Sequence, residues 1–300
     1  MAIKQVRAQV NGQWYTLALQ PNGKYEASIT APGATSFNQP GGYYNVTVEA
    51  TNTAGTTGTA NGSSLPGLQL VVRETVAPVI TILSPSSGAY VTNNKQPVVF
   101  TITDEAGGSG VKLSSVVVKL DGKAVAAGEL QHSAISNGYS FTYTPAAPLG
   151  DGRRTVTVDA TDNDGNAAVQ KSTTFTVDTI PPVLNVTSPT EGAIVNAAAV
   201  TVAGTTNDAT SSPVTVTITL NGADQGAVTV GGNGSFSKSV TLKEGANEIA
   251  VTATDAAGKT SSVTRRVTLD TTVPKIVSAT ITPNPVDAGQ TMLISVEVSG

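Results

Sequence analysis

The chain has 300 residues, a net charge of −4, no cysteine and a single histidine. Disulfide and thiolate chemistry are thereby excluded, His-built triads and metal sites have at most one residue to draw on, and an acidic balance without a Lys/Arg cluster leaves no electrostatic footprint for nucleic acid or an anionic membrane. Only 13% of residues are charged while 30 Gly and 16 Pro punctuate the chain, a composition that favours short strands and turns, and no apolar run approaches the roughly 20 residues of a membrane span.

Residues 1–76 open with MAIKQVRAQV, which lacks the apolar core of a signal peptide. VRAQVNGQWYTL then sets Asn-Gly between two alternating runs, the signal of a tight hairpin, and NGKYEASIT and YYNVTVEATNTAG add further strands. Residues 77–179 read as VITIL, a Ser/Pro/Gly turn, VVFTIT, SSVVVKLDGKAV with an Asp-Gly turn, SFTYTP and a closing hairpin, VTVDATDNDGNAAVQKSTTFTVDTIPP. In that hairpin Val156, Val158 and Ala160 share one face, Thr157, Asp159 and Thr161 the other, the period of a half-buried strand. Pro181 and Pro182 cannot continue the ladder and end the unit.

Residues 180–271 repeat the order with VLNVTSP, VTVAGT, VTVTITLNGAD, VTVGGNGSFSKSVTL and IAVTATDAAGKTSSVTRRVTLDTTVP, the last running on to Pro274. About seven short strands per hundred residues predict a two-sheet sandwich. A repeat of that length is a whole domain, too long for a solenoid unit.

The two ends differ from the middle. Residues 1–76 align with the later part of the repeat and lack its opening half, whereas residues 272–300, with KIVSATITPNPVDAGQTMLISVEVSG, match the opening half alone. A lone strand pair is marginal in water, and this one leaves Ile281, Met292, Ile294, Val296 and Val298 without cover. Exposed apolar faces and unpaired edges invite strand addition. Two readings stand: residues 1–76 are a smaller sandwich and the pair is an ordinary one resting on a different partner, or the pair from one subunit completes residues 1–76 of another, giving a head-to-tail homo-oligomer, with closure inside one chain as a variant.

Group-transfer and hydrolytic chemistry needs a nucleophile with its base, two carboxylates of separated pKa, or an open metal site. His132, in GELQHSAIS, reads as a solvated strand or loop residue, and no glycine-rich phosphate loop precedes a helix. No catalytic residue and no organic cofactor are expected. Calcium is the one metal with candidates. Asp162 and Asp164 lie in a turn dense in oxygen ligands, and Asp178 and Asp270 lie at junctions where carboxylates of neighbouring domains could converge. Asp and Asn also suit hairpin turns for backbone reasons, so both readings stand. Trp14 with Tyr15, and Tyr43 with Tyr44, sit near loops where rings stack on sugars or pack inward.

GANEIAVTATDAAGK followed by VTLDTTVP, and DTIPPVLNVTSPTEGAIV, resemble bacterial immunoglobulin-like repeats, the tandem domains of surface proteins and of phage and prophage virion proteins. The resemblance implies an all-β chain of tandem immunoglobulin-like β-sandwiches. It further implies a non-enzymatic structural or display role in a virion, tail-associated or decorating a capsid, with other virion proteins as partners. The alternative is an adhesive or spacer stalk on the bacterial cell surface that contacts host glycans or proteins. Such domains carry many functions on one fold.

Overall fold

A computed structural model describes residues 2–300, apart from the side chain of Ala127. Strands make up every extended element and the helical turns are single 3-10 turns of three residues. Backbone contacts divide the chain into two units, one ending at Val177 and the other beginning at Asp178.

The first unit contains a complete sandwich. One sheet runs Leu130–Ile135, Gly138–Tyr143, Val98–Thr103 and Val79–Ser84. The other runs Lys123–Ala124, Val117–Leu120, Gly152–Asp159, Lys171–Val177 and Ala89–Val91, the last pair parallel. Alternation seals the space between them: Val98, Phe100 and Ile102 from one sheet and Val156, Val158 and Val177 from the other are fully buried. Phe100 pairs with Phe141 across neighbouring strands, and their rings stack at 5.0 Å and 7°, adding a specific contact to the area they bury.

The second unit repeats the plan. Val183–Ser188, Ala199–Asn207 and Ser235–Thr241 form one sheet, and Ala193–Val195, Thr260–Leu269, Gly245–Thr254, Thr215–Leu220 and Ala223–Asp224 the other. Its core joins Val202, Ile218, Phe236, Ile249, Val251 and Val267. Gly204 is fixed by packing: a Cβ there would lie 2.2 Å from the Asn185 carbonyl oxygen and 2.7 Å from the Phe236 ring.

The front of the first unit carries one five-stranded sheet, Tyr25–Glu26, Gln13–Leu19, Ile3–Val10, Thr47–Asn52 and Thr57–Asn61, with a separate short pair, Tyr44–Asn45 with Gln69–Leu70. The Asn-Gly hairpin expected here is present. Asn11 and Gly12 both take positive φ, as do Asp121 with Gly122 and Asn221 with Gly222, the two-residue turn whose twist suits adjoining strands. Val6, Ala8 and Val10 are buried. However, Val46, Val48 and Ala50 are only half-buried, whereas their counterparts in the repeat, Val156, Val158 and Ala160, and Ile249, Val251 and Ala253, are 0–4% exposed.

At the far end, Lys275–Thr282 and Leu293–Ser299 form an antiparallel pair on which every residue is exposed. Register places Ile276 opposite Val298, Ala279 opposite Val296 and Ile281 opposite Ile294. Period-two geometry gathers these side chains on one face and leaves Ser278, Thr280, Ser295 and Glu297 on the other.

The stacked core pair gives a direct test. Phe100→Ala should destabilise the first complete sandwich by about 3–5 kcal/mol, lowering its calorimetric transition while leaving that of residues 183–269 in place.

Candidate metal centres at the domain junctions

The repeat writes an acidic residue at three separated places: on the segment entering a sandwich, just after the third sheet-forming run, and at the closing hairpin. In the second unit these are Asp178, Asp208 and Asp255, and the fold brings all three together, with one carboxylate oxygen from each lying within 4.8 Å of the others. Their exposures are 0%, 8% and 5%, so the cluster is largely closed to water.

Each carboxylate is partly held by its own loop. Asp178 Oδ1 accepts from the Ile180 N–H at 3.1 Å, and its Oδ2 accepts from the Ser211 hydroxyl. Asp208 Oδ1 accepts from the N–H groups of Thr210 and Ser211, both at 2.7 Å. Asp255 Oδ1 accepts from the Lys259 N–H at 2.8 Å, while Asp255 Oδ2 is buried with no hydrogen-bond partner. Among the described residues the ion pairs join Arg7 to Glu49, Arg154 to Asp121 and Arg266 to Glu248, and none reaches this cluster.

The corresponding place in the first unit is wired differently. Glu74, Asp104 and Glu105 bring carboxylate oxygens within the same 4.8 Å. Asp104 Oδ2 accepts from the Gly110 N–H at 2.7 Å, Glu74 Oε1 accepts from the Ser109 N–H, and Asp104 Oδ1 is buried without a partner. The hydrogen bond to Glu74 pushes the exposed Glu105 carboxyl up to about 7. Burial acts to raise Glu74, but hydrogen bonds from Glu105 and Ser109 outweigh it and hold that carboxyl below its ordinary value. One proton shared between two close carboxyls accounts for the opposite directions.

The four acidic residues singled out in the sequence fall in different places. Asp178 joins the buried cluster described above. Asp162 is fully buried and spends both oxygens on its own turn, accepting from the N–H groups of Gly165 (2.6 Å) and Asn166 (2.8 Å) and from the Asn166 amide (2.7 Å). Asp164 Oδ2 accepts from the Thr35 hydroxyl at 2.5 Å and the Glu74 N–H at 3.0 Å, fastening the turn to the segments before it. Asp270 is exposed, and hydrogen bonds from the Thr272 hydroxyl and N–H hold its carboxyl below the usual range. Glu74, Asp104, Glu105, Asp208 and Asp255 are not singled out by local sequence. Aligning the repeats column by column finds two of them, because Glu-Thr-Val-Ala-Pro at 74–78 stands where Asp-Thr-Ile-Pro-Pro stands at 178–182, and Ala-Thr-Asp ends at both 162 and 255.

His132 lies on the exposed side of its strand, with ring contacts to Tyr139 at 5.7 Å and Phe141 at 5.8 Å. It borders a mostly apolar cleft of about 390 Å³ lined by Leu113, Ser114, Val116, Val118 and Val125. Trp14 carries the Arg7 guanidinium 4.2 Å from its ring centroid, and Arg7 pairs with Glu49 at 2.7 Å. Tyr44 is buried and donates to the Ala34 carbonyl at 3.1 Å, the backbone tie of a corner tyrosine. Tyr43 lines an open, largely polar cleft of about 390 Å³ with Gln9, Asn11 and Gln39.

Because Asp162 serves its turn, Asp162→Ala should cost at least about 2 kcal/mol through orphaned buried donors. The loss measured by calorimetry should be the same in calcium and in chelator.

Comparison with known proteins follows the division of the chain. Residues 84–179 match the bacterial Ig-like domain family, and residues 182–271 match domain B of glucodextranase. No curated protein sequence matches. Among solved structures the chain is similar to fibronectin(III)-like modules of Clostridium thermocellum CbhA, at 18% identity and TM-score 0.39, covering 64% of this chain and 94% of that one. It is also similar to immunoglobulin domains 1–4 of Sidekick-1, at 15% and 0.37, covering 89% and 67%. A 1.5-MDa bacterial ice-binding adhesin follows at 22% and 0.32, covering 89% and 86%. With its paired sheets and the family match on its first complete sandwich, the chain is an all-β tandem of immunoglobulin-like repeats.

Proposed function

We propose that the chain is a non-enzymatic structural spacer that joins sandwiches into a larger assembly, in the first place a phage virion. The observation that carries this reading is the uncovered apolar face of the C-terminal strand pair, together with a front sheet whose apolar face is only partly sealed. The strand pair 275–299 presents Ile276, Ala279, Ile281, Ile294, Val296 and Val298 to solvent. The five-stranded sheet near the front buries Val6 and Ala8 but leaves their cross-strand neighbours Val48 and Ala50 only partly buried, positions that a second sheet seals in both complete sandwiches.

Apolar faces of this kind are driven together by area removed from water. The proposed occupant of the front sheet is the strand pair of a second copy, with Ile281, Met292, Ile294, Val296 and Val298 at the contact. Two complete sandwiches, residues 79–177 and 183–269, separate the two faces along the chain. A connector of only residues 270–274 leads to the pair, so its reach is about 18 Å at full extension. Contact between copies then repeats head to tail and either closes or propagates.

A second reading, an adhesive stalk on a bacterial surface, is favoured by the polar cleft beside Tyr43, whose ring and amide neighbours suit a sugar. Labelling with an antibody against residues 84–179 separates the two. Decoration of induced phage particles supports the virion, and decoration of intact cells alone replaces it with the stalk.

Assembly is tested by light scattering across protein concentrations on the intact chain, on one ending at Thr272 and on Ile294→Asp with Val296→Asp. Discrete oligomers that fall to monomer in both altered chains are expected. A monomeric intact chain at every concentration overturns the assembly.

A further inference from the structure

We propose that Asp178, Asp208 and Asp255 form a calcium site that ties the segment entering the last complete sandwich to two of its loops. Neither the spacer reading nor the assembly is needed for this, since the site lies within one unit of one chain.

Three features carry the inference. First, three carboxylates lie at least nine-tenths buried within 4.8 Å of one another, and among the described residues no Lys or Arg pairs with any of them. Buried charges of one sign are costly unless a cation or protons offset them. Second, one buried carboxylate oxygen of the cluster is left without a donor. Backbone and hydroxyl donors hold Asp178, Asp208 and one oxygen of Asp255 in place, while Asp255 Oδ2, in a residue only 5% exposed, accepts from nothing. An oxygen in that condition wants a positive partner.

Third, the chemistry selects the ion. The set is all carboxylate oxygen, which suits a hard cation, and nitrogen or sulfur ligands for zinc or copper are missing from it. Two ligands of one calcium ion, each at about 2.3–2.6 Å, lie at most about 5 Å apart, and the three carboxylate oxygens, all within 4.8 Å of one another, meet that limit. Magnesium at about 2.1 Å demands a tighter octahedron and keeps more of its water. Asp208 also lines an open cleft of about 250 Å³, of mixed polar and apolar lining, with Thr206, Ser212, Val214 and Gly234, which gives a hydrated ion a route to one ligand.

The first unit supplies an internal contrast. There the hairpin aspartate, Asp162, has its second oxygen taken by the Asn166 amide, which donates also to the Glu74 carbonyl. Four residues after Asp255 the chain carries Lys259, which gives Asp255 only its backbone N–H, and the corresponding oxygen is left open.

The test is calcium titration of the intact chain, by calorimetry and by equilibrium dialysis with radioactive calcium, beside Asp255→Asn, Asp208→Asn and Glu105→Gln. Wild type should bind calcium, and its transition for residues 183–269 should rise by several degrees over that in chelator. Asp255→Asn and Asp208→Asn should each lose one equivalent or at least tenfold in affinity, and Glu105→Gln should keep that equivalent. The amide oxygen that Asp255→Asn introduces still accepts from the Lys259 N–H, so this variant should fold and melt in chelator no lower than wild type. Absence of binding together with identical wild-type melts in calcium and chelator overturns the site. So does calcium binding that both aspartate variants leave unchanged.

Discussion

Every sheet in this chain has one apolar side, and a sheet with one apolar side needs a second layer to face. In the two complete sandwiches that need is met by β-strands of the same domain, and the inner residues Phe100, Val156, Ile218 and Val251 disappear from solvent. Where it is not met, the sequence pattern persists while the burial does not: Ile281, Ile294 and Val296 alternate as the inner strands do yet stay exposed, and at the front Val48 and Ala50, in the register of Val251 and Ala253, are only partly buried beside buried Val6 and Ala8. Face-to-face closure thus decides which parts of the chain stand alone and which have surface to offer a neighbour.

Much of the architecture is legible in the sequence because it is local. The alternation of Val156, Val158 and Ala160 reports a strand within a few residues, and Asn-Gly or Asp-Gly at 11–12, 121–122 and 221–222 reports a hairpin by its backbone demands alone. The acidic cluster is only partly legible because it is assembled by topology. Asp178, Asp208 and Asp255 are separated by 30 and 47 residues, and nothing in the neighbourhood of Asp208 or Asp255 distinguishes them from turn-forming aspartates. Asp162 and Asp164 stand out by their density, yet that density reflects a turn and its tether to Thr35 and Glu74. Asp178 is identified by its place at a junction, the one cue that refers to the domain plan.

The two junctions show how a repeated frame accommodates different wiring. Both put an acid at the entry of a sandwich and another at its closing hairpin, but the residue four places after the hairpin acid differs, Asn166 in one and Lys259 in the other. An amide side chain reaches back across the first junction to satisfy Asp162 and the Glu74 carbonyl together. A lysine cannot do the same from its backbone N–H, and a buried oxygen is left over. The residue four places on thus coincides with whether the hairpin acid has its second oxygen satisfied.

The short parallel pairs bear on how such a chain carries load. Ala89–Val91 runs alongside Lys171–Val177, and Ala193–Val195 alongside Thr260–Leu269, so in each sandwich a strand near the entrance is bonded to the strand at the exit, pointing the same way. Tension applied along the chain pulls these two strands in opposite directions along their length. Their inter-strand hydrogen bonds are then strained together in shear, with no end from which they can be peeled one by one, and each sandwich resists stretching as a latch does.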